Sequence, residues 1–441
     1  MLGSSSHSHH REKYDPQPPP PPPPPRTAEQ LHHHHQRQLL FTCAQLISCS
    51  DFSAAHRLTS FLSATSSPAG DSSDRLLHTF TRALHHHLRH HHPPQTTTNT
   101  NTTANNLAIT YATMTATTTN CCNNDSFTFN HRYNDLNILQ SSYLSLNQIT
   151  PFIRFCHLTA NQAILDAIDD DQSHNHQYIH IIDFDTMHGV QWPPLMQAIA
   201  DRHLSSPTTT TIRLTCIGTD AETLKKTGDR LSDFANSLGL KFRFYPLLVK
   251  NENDVVELIH RLSDDVVFLP NETLAVNCVL YLHRHLNNRD DNVRLLLKKI
   301  KTMNPRVVTM AEIESDHNHP LFLSRFGAAL KYYAAVFDSL DATLPPSSRE
   351  RMEVERVWFG REIAAVVAAE GGERHERFRW WEVVMRNGGF EKVLFSRFAI
   401  SQAKMLLRLH YPSEGYDVVV FDGCLWLGWR NQPLFSVSCW C

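Results

Sequence analysis

The stretch that decides the fold begins with a short apolar run and continues into a loop. The run is Tyr178-Ile179-His180-Ile181-Ile182-Asp183-Phe184. The loop is Asp185-Thr186-Met187-His188-Gly189-Val190-Gln191-Trp192-Pro193. A run of this length, rich in isoleucine and ended by polar residues, is typical of a strand that is buried on both faces. We therefore predict a buried strand over 178–184, followed by a helix over 194–203.

Downstream of this run, strand and helix patterns alternate along the chain. Strands are predicted over 212–217, 241–248, 265–269 and 306–311, and helices over 221–238, 253–262, 275–285 and 292–303. Helices follow over 320–340, 348–370 and 376–386, and strands over 416–421, 425–429 and 434–440. This alternation predicts an α/β fold with a Rossmann-like (methyltransferase-like), doubly wound and mostly parallel sheet. The terminal hairpin, turning at 430–433, would add antiparallel C-terminal edge strands.

The first 175 residues have a different composition. Residues 1–36, with a proline run and a histidine tract, are predicted to be a disordered tail. Apolar residues at helical spacing then predict an N-terminal helical cap over 37–175. A disordered insertion rich in His, Thr and Asn interrupts this cap at about 85–130. The α/β core is expected to occupy 176–441.

Charge and cysteine usage narrow the class of protein. The formal net charge is −3, from 41 basic and 44 acidic side chains. This balance disfavours a free-standing DNA-binding domain, because such domains usually carry a basic excess. The ten cysteines include no CxxC pair, which indicates a reducing compartment, either cytosol or nucleus. No apolar run approaches the roughly 18 residues of a membrane span, so no membrane contact is expected.

The loop after the first strand bears on cofactor chemistry, because ligands of doubly wound sheets bind at the carboxyl ends of the strands. A nucleotide or S-adenosylmethionine site needs clustered glycines there, so that the backbone can approach the ligand. This loop has a single glycine, Gly189, beside the bulky Met187, His188 and Trp192. We therefore expect no cofactor. An S-adenosylmethionine-dependent methyltransferase and a small-ligand sensor on the same fold are the alternatives.

Candidate catalytic and metal-binding groups are few. Asp183, Asp185 and His188 are residue types that ligate metals, but their spacing matches no standard signature, so local hydrogen bonding is favoured. Glu312 and Glu314 follow the fifth predicted strand, where loop hydrogen bonding is favoured over acid–base chemistry. The sequence contains no GxSxG, HExxH, Walker or kinase signature. We predict no catalytic residue and no metal site.

The segment 179–193 resembles the VHIID motif that defines GRAS proteins, with Ile179 in place of the usual valine. The other blocks follow in the family's order. Residues 37–84 resemble the first leucine-rich region, and 275–278 with 282–284 resemble the second. The PFYRE block is similar to Pro320, Tyr332-Tyr333, Phe337-Asp338-Ser339-Leu340 and Arg361-Glu362, and the SAW block is similar to 429–440. The resemblance covers about 37–441.

This resemblance implies a methyltransferase-like core with an N-terminal helical cap, and a nuclear transcriptional regulator without enzymatic activity. It also implies action through other transcription factors or GRAS proteins, with a homodimer as one form, and indirect or weak contact with DNA. Residues 158–167 and 406–416 resemble the Lateral suppressor group of the family. That group implies a role in plant shoot development and axillary meristem initiation.

The family-motif positions are interpreted as structural or interaction residues. They are Ile179, His180, Ile181, Ile182, Asp183, Asp185, Gly189, Gln191, Trp192, Arg361, Glu362, Trp429, Ser438 and Trp440. The strand positions 180–182 are predicted to lie in the core, and the three tryptophans are predicted to pack rather than to bind. Arg361 and Glu362 are interpreted as an internal ion pair that locks a helix to the sheet.

An apolar stripe near the start of the helical cap is the candidate protein interface. Its residues are Leu39, Leu40, Ile47, Leu58 and Phe61. The stripe has more Leu and Phe than two helices need for their own contact, which favours binding to a second copy or to another factor. Covering the sheet domain is the alternative role. Charge reversal at Leu40 and Ile47 is predicted to abolish partner capture and to leave the protein folded.

Overall fold

A mixed sheet forms the centre of the protein. The computed structural model describes residues 28–91, 132–169, 178–203, 211–251, 253–286, 291–367 and 374–441. Within these residues the strands are β1 (Tyr178–Asp183), β2 (Thr211–Gly218), β3 (Lys241–Leu248), β4 (Glu272–Val279), β5 (Val307–Ile313), β6 (Lys392–Val393), β7 (Tyr416–Phe421), β8 (Cys424–Trp429) and β9 (Gln432–Trp440). Their order in the sheet is β3-β2-β1-β4-β5-β9-β8-β7, and the short β6 pairs with β9.

The pairing of neighbouring strands changes from parallel to antiparallel once across this sheet, between β5 and β9. Strands β1 to β5 are parallel, with β1 between β2 and β4. Strand β9 is antiparallel to β5, and β8 and β7 continue the antiparallel part to the edge. The central strands are buried along almost their whole length, because helices cover both faces of a parallel sheet. The predicted α/β fold with antiparallel C-terminal edge strands is confirmed.

Some helices cover the two faces of the sheet, and others form the helical cap. They are α1 (Ala28–Ser48), α2 (Phe52–Thr65), α3 (Ser72–His91), α4 (Arg132–Ile149), α5 (Phe152–Asp169), α6 (Trp192–His203), α7 (Ala221–Ser237), α8 (Val255–Asp264), α9 (Asp291–Thr302), α10 (Phe322–Thr343), α11 (Arg349–Glu353), α12 (Gly360–Val367), α13 (Phe378–Asn387) and α14 (Arg397–His410). A 3₁₀ turn, Leu282–His285, follows β4, and a π turn, Val354–Phe359, joins α11 to α12. None of the helices in the described residues is long and apolar enough to span a membrane.

The fourth predicted strand and the helix after it are wrong. Residues 265–269 follow helix α8 without forming a strand, and the fourth strand is Glu272–Val279, where a helix over 275–285 was expected. This strand is in register with β1, with Val276 opposite Ile182. Both of its faces are buried, so its sequence lacks the alternation of a half-exposed strand and could not be distinguished from a buried helix.

Two predicted boundaries in the N-terminal part also shift. Helix α1 begins at Ala28, inside the predicted tail, and the amide of the buried Gln36 donates to Asp74 at 2.7 Å. Helix α3 continues to His91, past the predicted start of the insertion at 85, and His87 is buried in it. Histidine-rich sequence is helical here because one face of each helix packs on its neighbours. Residues 1–27 and 92–131 lie outside the described residues.

The helical cap is assembled from segments that are far apart in the sequence. Helices α1 and α3 pack on α10, α3 also packs on α12, and α2 packs on α1 and α3. Helix α4 packs on α11 and the π turn. Arg75 of α3 donates to Glu355 of the π turn at 3.0 Å, and both side chains are buried. Helix α5, predicted as part of the cap, packs on β5 and β9. The segment 322–367 therefore completes the cap, and α5 belongs to the layer that covers the sheet.

Candidate functional site

The stretch 179–193, which resembles the VHIID motif, lies where the strand order reverses. Strand β1 lies between β2 and β4, and its carboxyl end is Asp183. Asn277 of β4 is opposite Asp183 in the register. In a doubly wound sheet this edge, at the topological switch point, is where ligands bind. The fold itself therefore indicates the surroundings of Asp183 as the candidate functional site.

The carboxylate of Asp183 is buried and accepts two side-chain hydrogen bonds. Trp192 donates from Nε1 to Oδ2 at 2.9 Å, and Asn277 donates from Nδ2 to Oδ1 at 2.9 Å. Burial raises the pKa of Asp183 to about 6, although both donors act to lower it. Because each oxygen already serves a protein donor, Asp183 connects the loop to β4 instead of presenting an open ligand position.

A network of side-chain amides extends from this carboxylate. Gln191 donates from Nε2 to Asn161 at 3.1 Å and to Asn277 at 3.0 Å. Asn161 donates to the backbone carbonyl of Gln191 at 2.8 Å, and Thr309 donates to Asn277 at 2.9 Å. The network therefore joins α5, the loop after β1, β4 and β5. Asn161, Asn277 and Thr309 are not among the predicted site residues. The sequence feature that could have identified Asn277 and Thr309 is a polar residue inside an otherwise apolar run.

Gly189 shapes the loop between β1 and α6. Its φ is +61°, and a Cβ at this position would lie 2.9 Å from Thr227 Cγ2 and 3.1 Å from Leu231 Cδ1 of α7. The absence of a side chain thus lets the loop pack on α7. Met187 is partly buried against the hydrophobic core, and the ring of His188 stacks on Tyr143 at 6.4 Å. Two of the loop residues expected to crowd a cofactor site, Met187 and His188, therefore pack on the core and on Tyr143.

Asp183, Asp185 and His188 do not form one site. Asp185 pairs with Arg284, whose guanidinium also lies over the ring of Tyr281 at 5.6 Å from its centre. The backbone carbonyl of His188 accepts a hydrogen bond from Arg230. The three residues thus serve different contacts, and the partners of the two aspartates include Asn277 and Arg284, which lie 94 and 99 residues further along the chain.

A different group of metal-binding side chains lies at the ends of β4 and β5. In the described residues, His283, Glu312 and His375 come close enough to share an ion. Glu312 accepts from His283 Nδ1 at 2.9 Å and from the His283 backbone N–H at 3.2 Å. Burial raises the pKa of Glu312 well above its usual value. Glu314 accepts from the backbone N–H of Phe378 at 3.0 Å, so both glutamates have the hydrogen-bonding role that was favoured.

His180 lies in the core, in a buried polar group on β1. It bonds Glu272 through Nδ1 and Thr215 through Nε2, both at 2.8 Å. Arg213 donates to the same glutamate. Burial acts to raise the pKa of Glu272, but the hydrogen bond from His180 and the charge of Arg213 outweigh it and lower that pKa. Ile179, Ile181 and Ile182 are buried beside this group.

The positions that resemble the PFYRE and SAW blocks lie in the cap and in the antiparallel strands. Trp429 is buried and donates from Nε1 to Asp338 of α10 at 2.6 Å. Trp440 is also buried and donates to Ser438 at 2.9 Å. Glu362 of α12 is buried and accepts from the hydroxyl of Tyr333 on α10 at 2.9 Å. This bond joins two helices of the cap.

Arg361, the neighbour of Glu362, has a different environment. Its guanidinium lies 6.0 Å from the ring centre of Trp358, and its side chain is exposed. Consecutive residues of a helix point about 100° apart and do not face each other. Arg361 and Glu362 therefore point in different directions from α12.

Most of the predicted apolar interface is interior. Leu40 is 1% exposed and Ile47 is buried, because α1 packs between α2, α3 and α10. Leu39 and Leu58 are half-buried against the same core. Phe61 is 58% exposed. The prediction that charges at Leu40 and Ile47 leave the protein folded is wrong, since a charge at either position would be placed in the core.

Comparisons with known proteins match nearly the whole chain. The model of the GRAS domain family matches residues 36–441. Scarecrow-like protein 18 of Arabidopsis thaliana is 46% identical over 409 residues, which cover 92% of this chain and 91% of that protein. Protein MONOCULM 1 of Oryza sativa subsp. japonica is 39% identical over 431 residues, covering 92% and 88%. The crystal structure of SCL7 in Oryza sativa has a TM-score of 0.68 and 32% identity, covering 92% and 99%.

Proposed function

The chain belongs to the GRAS domain family, and we propose that it is a nuclear transcriptional regulator that acts by binding other proteins and catalyses no reaction. The partners are other transcription factors or GRAS proteins, and DNA is contacted indirectly or weakly. The resemblance of 158–167 and 406–416 to Lateral suppressor proteins supports a role in shoot development and axillary meristem initiation.

An exposed apolar stripe on α14 carries this proposal. Phe398, Met405 and Leu409 are exposed by 63%, 45% and 62%. Their spacing of seven and four residues places them on one face of the helix. The opposite face, with Ala399, Ala403 and Leu407, is buried, so the orientation of α14 is fixed. Several large apolar side chains exposed in a row are typical of a surface that binds another protein.

Basic side chains line one side of this stripe. Arg397, Lys404 and Arg408 are exposed and lie roughly 80–120° around the helix from it. None of the three has an ion pair with another residue in the described ranges. An apolar stripe beside unpaired cations fits an amphipathic segment with acidic side chains, since both the apolar contact and the charges are then complementary. We propose that such a segment of a partner transcription factor binds α14.

The candidate site on the sheet supports a role without a cofactor. Both oxygens of Asp183 accept protein hydrogen bonds, and Trp192 is buried. The loop that would hold a cofactor is thus engaged in protein contacts. This arrangement favours the regulator over the methyltransferase and the small-ligand sensor.

Capture of partners from shoot nuclei tests the proposal. The tagged full chain, the double variant Phe398→Glu/Leu409→Glu and the control Phe61→Glu are compared, because Phe61 is similarly exposed but lies in the cap. We expect the wild type and the control to capture identified transcription factors, and the α14 variant to capture them about tenfold less, or about 1.4 kcal/mol of binding free energy. Equal capture by all three proteins would exclude α14 as the partner-binding surface. Loss of capture in Phe61→Glu alone would show that the interface lies in the cap.

A further inference from the structure

Three buried side chains of metal-binding type converge near the ends of β4 and β5. They are His283 in the 3₁₀ turn after β4, Glu312 in β5, and His375 in the segment before α13. One possible ligand atom from each lies within 4.8 Å of those from the other two. We propose that these residues bind a divalent transition metal ion, with Zn²⁺ as the expected ion.

The donor set determines which ions fit. Two imidazoles and one carboxylate suit Zn²⁺ and related transition metals, whereas Ca²⁺ and Mg²⁺ prefer oxygen ligands. Bonds of about 2.0–2.1 Å around a tetrahedral zinc place neighbouring ligand atoms roughly 3.3 Å apart. His283 Nδ1 and Glu312 Oε2 are already 2.9 Å apart, and the rings of His283 and His375 have centroids 4.4 Å apart. Small side-chain rotations therefore bring all three around an ion.

A further imidazole lies beside this group. The ring of His317 is 5.3 Å from that of His375, and its side chain is fully buried. Neither ring nitrogen of His317 has a hydrogen-bond partner among the residues that the structure describes. The backbone N–H of His317 donates to the carbonyl of His375 at 2.9 Å, which holds the two residues together. Rotation of the His317 side chain supplies a fourth ligand, and a closed shell of four protein ligands is typical of structural zinc.

The position of the group indicates what the ion would do. His283, Glu312 and His375 come from three segments that are distant in the sequence, and one ion would join them. The 3₁₀ turn that holds His283 also carries Arg284, the partner of Asp185. A bound ion would thus fix the turn that supports the loop after β1. This role is separate from partner binding at α14.

Retention of zinc by the full chain tests the site. Wild type, His283→Gln, His375→Gln and the control His285→Gln are expressed with added zinc and dialysed against EDTA, and bound zinc is measured by mass spectrometry. His285 is a suitable control because it is buried in the same turn and lies outside the group. The exposed histidines of the tract, such as His32 and His34, release metal to the chelator, whereas a buried site retains it.

We expect about one zinc per chain in the wild type and in His285→Gln, and near-complete loss in the other two variants. A second measurement uses only the wild type, expressed with cobalt and dialysed in the same way, so it does not depend on the folding of variants. Four-coordinate Co²⁺ then gives strong visible absorption. The proposal is overturned if the wild type retains no zinc and shows no such absorption, or if folded His283→Gln and His375→Gln retain as much zinc as the wild type.

Discussion

Trp192 donates a hydrogen bond from its indole Nε1 to the carboxylate of Asp183 at 2.9 Å, and both side chains are almost fully buried. Asp183 ends β1 and Trp192 begins α6, so this bond closes the loop between them. In related folds the same loop receives a cofactor. Here it holds together the elements that meet at the centre of the sheet.

Removing the indole donor measures what this contact contributes. Trp192→Phe leaves Asp183 with one donor fewer in a buried position, so the free energy of unfolding should fall by about 1–3 kcal/mol. Urea unfolding followed by circular dichroism gives this value. Trp380→Phe, in the half-buried part of α13, is the control and should cost less. Equal losses of unfolding free energy in the two variants would show that the hydrogen bond to Asp183 does not contribute measurably to stability.

The pKa of Asp183 predicts a dependence of stability on pH. Its pKa is about 6 in the folded chain and 3.8 for an ordinary aspartate, so the folded state binds the proton more tightly. Stability from this group is therefore fully present below pH 3.8 and is lost as the pH rises through 6. Relative to Asp183→Asn, the free energy of unfolding of the wild type should fall by about 2 kcal/mol between roughly pH 4.5 and pH 7.5. Parallel pH profiles for the two proteins would refute the assignment.

The cap has a core position and a surface position in neighbouring helices. Leu40→Asp places a charge where the side chain is 1% exposed, and should cost more than about 3 kcal/mol or prevent folding. Phe61→Asp, at 58% exposure, should change the free energy of unfolding by no more than about 1 kcal/mol. Thermal and urea unfolding of both variants test this difference. A stable, folded Leu40→Asp would contradict the placement of α1 in the core.

Two glycines with similar positive φ angles allow the cost of a left-handed backbone to be distinguished from the cost of a steric clash. Gly189 has φ +61° and little room for a Cβ, whereas Gly239 has φ +69° and no atom within 4 Å of a Cβ. Both alanine variants carry the cost of a left-handed backbone, about 1 kcal/mol or more. Gly189→Ala should lose at least about 1 kcal/mol beyond Gly239→Ala, because only its methyl group meets α7. Equal losses would mean that the loop can move away from α7.

Most strands of the parallel sheet are predictable, either from an apolar run between polar segments, as in β1, or from an alternating pattern, as in β3. The bounds of β3 were predicted as 241–248 and are the same in the structure. The sequence of β4 predicts a helix, because burial on both faces removes the alternation that identifies a strand. Its identity depends on pairing with β1, which lies about 90 residues away in the chain.

The candidate site was predictable only in part, for a similar reason. The motif drew attention to Asp183, Gln191 and Trp192, but Asp183 is bonded by Asn277, 94 residues further along the chain. The exposed stripe of α14 has helical spacing in the sequence, yet no helix was predicted over 397–410. The spacing of apolar residues in the sequence shows which side chains share one face of a helix. Which face remains exposed depends on packing, here on the contacts of α14 with α5 and β7.

Titration of the full chain with S-adenosylmethionine by calorimetry tests most directly whether the edge of the sheet at Asp183 is a cofactor site. We expect no saturable heat at concentrations up to about 1 mM, which corresponds to a binding free energy weaker than about −4 kcal/mol. Saturable binding in the micromolar range that is lost in Asp183→Asn would contradict a regulator without cofactor chemistry.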